Sequence, residues 1–174
     1  MSYIRLDKEG GLHYPCPALD HPGTSYLHER FHEPEFKGSV ASFVPVDYTP
    51  LLEVPDEEYP FVLTTGRRYE QYNTHTQTRY YADTVKLKQT KETVDMHPDD
   101  ALRLGIAHGE WVEVSSRRSQ LHVVANVTDR MVPGLVFMSF HWSEVPTNAL
   151  TLNEYDPISG TAEFKACAVR IRKI

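Results

Sequence analysis

The sequence predicts a mainly β fold, a compact barrel of short strands preceded by an extended arm, on three observations. Short β-branched or apolar runs recur from Tyr59 onward between turn signals, only one segment carries helix punctuation, and no internal repeat is long enough for a solenoid or propeller. The first sixty residues contrast with the rest. They carry PCP at 15–17, HPG at 21–23, and Pro34, Pro45, Pro50, Pro55 and Pro60 with little periodicity. Proline fixes φ and removes a donor, so residues 1–58 read as an extended connector arm and 59–174 as the packed domain.

Within that domain FVLTT (61–65) is β-branched and apolar and ends at Gly66, the signature of a buried strand followed by a turn. HPDDALRLGIAHG places Pro98 where a first helical turn tolerates it, acids against the helix N-terminus, and Gly105 as a left-handed stop, giving a short helix over 98–104. WVEVSS (111–116) and LHVVANV (121–127) flank the polar corner Arg117 to Gln120 and predict a β-hairpin. LVFMSF (135–140) follows the turn signal Pro133-Gly134, and ACAVRIR (166–172) alternates small or apolar with polar residues as a last strand.

Composition narrows the function. A net charge of −6 gives no electrostatic reason to hold a polyphosphate backbone nonspecifically, so nucleic acid is not expected as a partner, although a few placed arginines suffice for a small phosphorylated ligand. No apolar run is long enough to span a bilayer and MSYIRLDKEGG lacks the layout of a signal peptide, so the segment reads as soluble without membrane contact. Cys16 and Cys167 sit near opposite ends and form no CxxC pair, and a reduced, cytoplasmic chain is the expectation.

Three segments carry polar chemistry. TGRRYEQYNTHTQTRYY (65–81) directly follows the first strand: Gly66 lets the backbone turn tightly, Arg67 and Arg68 offer planar donor forks for phosphate or carboxylate, and Thr74, Thr76 and Thr78 present hydroxyls at alternate positions. The competing reading is a solvated loop whose arginines pair with surplus acids. SFHWSEVPTNALT (139–151) combines His141, Trp142 and Asn148, where an aromatic could stack on a heterocycle while an amide reads its edge; alternatively Phe140 and Trp142 are core at a strand end. DPISGTAEFKACAVRI (156–171) carries Glu163 and Lys165 before the last strand and says little alone.

Taken in order, LTTGR with Thr-x-Thr-x-Thr-Arg, PDDALRLGIAHGEWVEVSSRR, VTDRMVPGLVFMSFHW, Asn148-Ala-Leu-Thr and EFKACAVRI resemble the molybdopterin-dinucleotide-binding domain of the dimethyl sulfoxide reductase superfamily. The arm, GGLHYPCP, DHPGT, FVPVDYTP and PDEEYP, is similar to the connector of formate dehydrogenase catalytic subunits, so the resemblance covers nearly the whole chain. It implies a six-stranded double-psi barrel, with short helices, that closes over two molybdopterin guanine dinucleotides (bis-MGD) carrying molybdenum or tungsten.

By position, the resemblance implies that Arg67 and Arg68 approach the dinucleotide phosphates or pterin, that Gln71, Asn73 and Thr74 line the same strip, and that Asn148 with Phe164 and Lys165 reaches the pterin from the other side. Two departures stand out. Many relatives have histidine in place of Gln71, and often histidine or serine in place of Asn73, which puts in doubt any role needing a protonated imidazole; a glycine usual in the hairpin turn is here Ser119. The family's metal ligand, its neighbouring histidine and its iron–sulfur cluster have no counterpart here, since Cys16 lies in the connector and Cys167 begins a strand.

The chain is therefore expected to bind and orient cofactor within a larger formate dehydrogenase, beside the remaining catalytic domains and electron-transfer subunits, and to be inactive alone. A freestanding pterin-binding small subunit or noncatalytic barrel module is the alternative. His28-Glu29-Arg30-Phe31-His32 also matches HExxH, the zinc hydrolase pattern, but Pro22-Gly23 and Pro34 leave room for only a short helix, and a connector helix or turn is the preferred reading.

Overall fold

A computed structural model of the chain describes residues 2–24, 43–81 and 91–174. The chain divides into two compact units, Met1–Tyr48 and Thr49–Ile174. In the first, helix α1 (Tyr3–Glu9) interrupts what the proline content predicts as extended chain. Its causes are local: the Ser2 hydroxyl caps the Arg5 amide, Arg5 bonds Glu9 one turn on at 2.8 Å, and Gly10 stops the helix at φ 73°. The HExxH segment at 28–32 lies outside the described residues.

The second unit is a closed barrel of six strands: β1 (Phe61–Gly66), β2 (Thr93–Met96), β3 (Trp111–Ser115), β4 (Gln120–Val127), β5 (Leu135–Ser139) and β6 (Cys167–Lys173). Helix α2 (Pro98–Leu104) sits between β2 and β3, and a 3₁₀ turn (Thr147–Ala149) lies between β5 and β6. Helix α2 occupies the span the sequence predicts. His97 caps it, Pro98 opens it, and Gly105 at φ 66° closes it. The hairpin β3–β4 turns through the expected polar corner, with the Ser116 amide donating to the Ser119 carbonyl.

Around the barrel the strands run β1-β5-β2-β4-β3-β6. The pairs β1–β5 and β2–β4 are parallel, and the other four are antiparallel. Exchanging β1–β3 for β4–β6 maps this pairing pattern onto itself, so two three-strand halves interlock as a double-psi barrel. No sequence repeat announces this. The fully buried side chains of every strand, among them Phe61, Leu63, Val94, Met96, Val112, Val114, Val136, Met138 and Val169, fill one core. Closure leaves no open sheet edge.

Strand β2 is the element the sequence reading misses. It is four residues long, and it alternates: Val94 and Met96 are fully buried, while Thr93 and Asp95 face outward. So short a run with an acid in it carries almost no strand signal, yet it joins β5 to β4.

Candidate functional site

The parallel pairing of β1 with β5 brings their C-terminal ends to one rim of the barrel, Gly66 beside Ser139. Because β6 runs antiparallel to β1, with Leu63 opposite Cys167, the segment before β6 reaches that same rim. Topology thus gathers three segments distant in sequence, 66–78, 139–148 and 164–165. All the predicted site residues lie on them.

Gly66 is required there for a reason the sequence reading does not supply. It is not in a left-handed turn; a Cβ on it would sit 2.8 Å from Cε2 of the Phe137 ring. Close approach of an aromatic, rather than a tight turn, demands the glycine.

The two arginines that follow have opposite surroundings. Arg68 is locked: its guanidinium grips both Asp95 oxygens at 3.0 and 2.9 Å, bonds the Thr93 hydroxyl at 3.0 Å and lies 5.0 Å from the Phe137 ring centre. Phe137, Asp95 and Asn126 stand in register across β5, β2 and β4, and the Asn126 amide bonds the same Asp95 carboxylate at 2.8 Å. Arg68 is therefore bolted directly to β2 and β5, and through Asp95 to β4, with only its backbone and Nε outside these bonds. Arg67 is exposed and makes no hydrogen bond or ion pair among the described residues; its guanidinium lies 5.8 Å from the Phe140 ring. Arg67 and Arg68 share a groove of about 300 Å³ with Glu70, Gln71, Arg130 and Phe137, so three arginines face one acid there.

His141 is fully buried. Its Nε2 accepts the Arg68 amide at 2.8 Å, and its Nδ1 meets the Asn73 carbonyl. Burial pushes the imidazole below its ordinary pKa; the Asn73 carbonyl opposes this, while Arg68, His75 and Arg67 add to it. Gln71 is buried and accepts from the Thr78 hydroxyl at 2.9 Å. Asn73, Thr74 and Thr76 are exposed along the loop, and Asn73 adopts φ 45°, a left-handed conformation that asparagine tolerates better than most residues. Trp142 is largely buried, with His75 stacked at 5.6 Å, so it acts as core rather than as a free stacking face.

On the other side, Asn148 and Phe164 line a single cleft of about 670 Å³ together with Arg118, Thr151 and Tyr155. Both are exposed to it. Lys165 reaches back to the Thr65 carbonyl at 2.9 Å, and the Thr65 hydroxyl donates to the Phe164 carbonyl at 2.6 Å, so β1 holds this segment in place. Cys167 is buried with its thiol pushed up to about 11 by burial, the behaviour of a packing residue.

Three carboxylates that the sequence reading leaves unassigned hold this rim together. Asp95 is one. Glu92 is 3% exposed and accepts from the Ser139 amide at 2.9 Å and from its hydroxyl, and burial pushes its carboxyl up despite those bonds. Glu53 bonds Arg118 at 2.8 Å, Arg117 at 2.9 Å and the Ala168 amide at 2.9 Å; burial opposes ionisation, but these donors together hold the carboxyl below its usual range. Only long-range contacts distinguish these acids from the chain's many solvated ones, so no local signal could have found them.

An arginine without an ion pair among the described residues, exposed amides and hydroxyls as donors, and a half-exposed aromatic together suit a phosphorylated heterocycle. Residues 61–168 match the family model described as the Molydopterin dinucleotide binding domain. The chain belongs to this family. Among its relatives the F420-dependent formate dehydrogenase 2 subunit alpha of Methanococcus maripaludis is 44% identical over 175 residues, covering 100% of this chain and 25% of the relative. The periplasmic nitrate reductase of Desulfovibrio desulfuricans is 36% identical over 186 residues, covering 99% of this chain and 24% of the relative. The chain therefore spans about a quarter of the length of the curated relatives it matches. Among solved structures, acetylene hydratase from Pelobacter acetylenicus superimposes with a TM-score of 0.55 at 18% identity over 68% of this chain and 19% of that one, a likeness of fold. This family member binds a molybdopterin dinucleotide. Among the described residues no helix is long and apolar enough to cross a membrane.

Proposed function

We propose that this chain is the cofactor-holding C-terminal part of a formate dehydrogenase catalytic subunit, where it binds and orients molybdopterin guanine dinucleotide carrying molybdenum or tungsten. The observation that carries the reading is Arg67, an exposed guanidinium with no acid partner among the described residues, beside an arginine whose two terminal nitrogens are held by Asp95 and Thr93. A cation without an ion pair among the described residues, in a groove where three arginines face one acid, suits an anionic phosphate, and the planar fork suits it better than a point charge. Asn73, Thr74 and Thr76 extend the same strip of donors, with Gly66, Arg68, Gln71 and His141 shaping it from beneath. Asn148, Phe164 and Lys165 hold the pterin from the second cleft; Lys165, anchored on the Thr65 carbonyl, keeps further N–H donors for the ligand.

Held by these residues, the metal-carrying cofactor would supply the two-electron redox chemistry by which formate becomes carbon dioxide and a proton. The residues of this chain contribute binding, orientation and exclusion of water. The remaining catalytic domains and electron-transfer subunits are its partners, in the cytoplasm, and the chain alone has no formate dehydrogenase activity. Similarity to formate dehydrogenase alpha subunits supports this assignment.

The test uses the complete catalytic polypeptide. Arg67→Ala should weaken cofactor retention by about 1.5–3 kcal/mol, the range for hydrogen bonds to charged groups, and Arg67→Lys should restore part of it. Full pterin content in the alanine variant, measured by fluorescence of the released oxidised pterin, overturns the reading.

A further inference from the structure

Resting on the reading above, we propose that His141 is a positioning residue: as a buried neutral imidazole it pins both ends of the cofactor-contacting strip, from Arg68 to Asn73, onto the end of β5. The geometry sets the tautomer. The Arg68 amide donates to Nε2 at 2.8 Å, so Nε2 carries a lone pair, and the proton lies on Nδ1, facing the Asn73 carbonyl. One ring thus holds two backbone groups, directly after Arg67 and at Asn73, while the side chains of Arg67, Asn73 and Thr74 stay exposed.

The ring itself cannot touch a ligand, because it is fully buried. Phe140 and Trp142 pack against it at 5.2 and 5.7 Å between ring centres. Its effect on binding must pass through the backbone it holds. Pinning a donor strip before the ligand arrives lowers the ordering cost of binding.

The other half of the barrel repeats the device with different chemistry. Under the exchange of halves β2 takes the place of β5, and just after β2 stands Asp100, 4% exposed, whose carboxylate accepts the Gly134 amide at 2.7 Å. Asp100 pins the connection that leads from β4 into β5, as His141 pins the one that leaves β1. The half with the exposed donor strip is the one pinned at two points.

The experiment compares His141→Ala, His141→Gln and His141→Asn in the complete catalytic polypeptide. The glutamine keeps an acceptor at the reach of Nε2, and the asparagine keeps a donor at the reach of Nδ1. Retained pterin should fall at least tenfold for alanine and to intermediate levels for the other two. Hydrogen exchange should show the Arg68 amide deprotected in the alanine and asparagine variants and protected in the glutamine variant. Wild-type pterin retention in His141→Ala with a deprotected Arg68 amide overturns the inference alone. Equal loss in all three variants, tracking a common drop in unfolding temperature, also overturns it, since His141 is then only a core residue. A wild-type polypeptide that holds no pterin overturns the binding reading and this inference with it.

Discussion

The two interlocked halves of the barrel share one pairing pattern but differ in what connects their first two strands. The connection from β1 to β2 runs over 67–92 and carries Arg67, Arg68 and the threonines, whereas the connection from β4 to β5 needs only 128–134. Both cross the same kind of parallel pair, and both are held by a buried polar group, His141 or Asp100. The difference teaches that the scaffold is near-symmetric in hydrogen bonding and asymmetric in chemistry. One half carries a long, donor-rich connection bolted to its neighbours, and the other makes the same crossing with a short one.

The bolt is the sharpest place to test this. Asp95→Ala leaves the half-buried Arg68 guanidinium without its carboxylate and frees the long connection, and it should cost about 3 kcal/mol of stability, read from the shift of a urea midpoint. If the cost is near zero, the long connection is not fastened through β2 and the contrast between halves fails.

Next in size is Glu92, which ends the long connection and grips Ser139. Glu92→Ala strands the buried Ser139 amide and should cost about 2 kcal/mol. Glu92→Gln should behave differently. Because burial raises the carboxyl's folded pKa above its unfolded one, its stabilising contribution is complete below the unfolded pKa and is lost as pH rises through the folded pKa. The glutamine variant cannot ionise, so relative to wild type it should gain stability as pH rises from acidic to alkaline; denaturant midpoints across pH read the sign.

Smaller again is Gly66→Ala. A methyl group 2.8 Å from the Phe137 ring forces the ring off the β1–β5 rim, at about 1.5 kcal/mol. Adding Phe137→Leu should recover most of it, which a double-mutant cycle on thermal unfolding measures. Smallest is Arg67→Ala, which should leave unfolding within about 0.5 kcal/mol of wild type, because the side chain is exposed and makes no ion pair among the described residues. A larger loss would mean that Arg67 is structural like its neighbour.

Much of the fold was legible because its signals are local. Pro98, the acids after it and Gly105 bound α2 to the residue, and the apolar runs of β1, β3, β4, β5 and β6 lie within a residue or so of their predicted limits. Helix α1 was also local, in Ser2, the Arg5–Glu9 spacing and Gly10, but the proline-rich surroundings outweighed it. The candidate site was legible as three segments and not as roles. Arg67 and Arg68 are identical in type and adjacent, and nothing within ten residues distinguishes the exposed arginine from the bolt.

By itself, then, the sequence determined five of the six strands, helix α2 and the donor-rich loop after β1, since alternation, capping and turn chemistry act over a few residues. Tertiary structure decided which strands are parallel, and so which rim gathers 66–78, 139–148 and 164–165. It also decided that Asp95 would claim Arg68 and leave Arg67 exposed. The physical reason is that an ion pair between β2 and the loop after β1, or a shared imidazole between Arg68 and Asn73, depends on distances set by barrel closure. No periodicity along the chain encodes those distances.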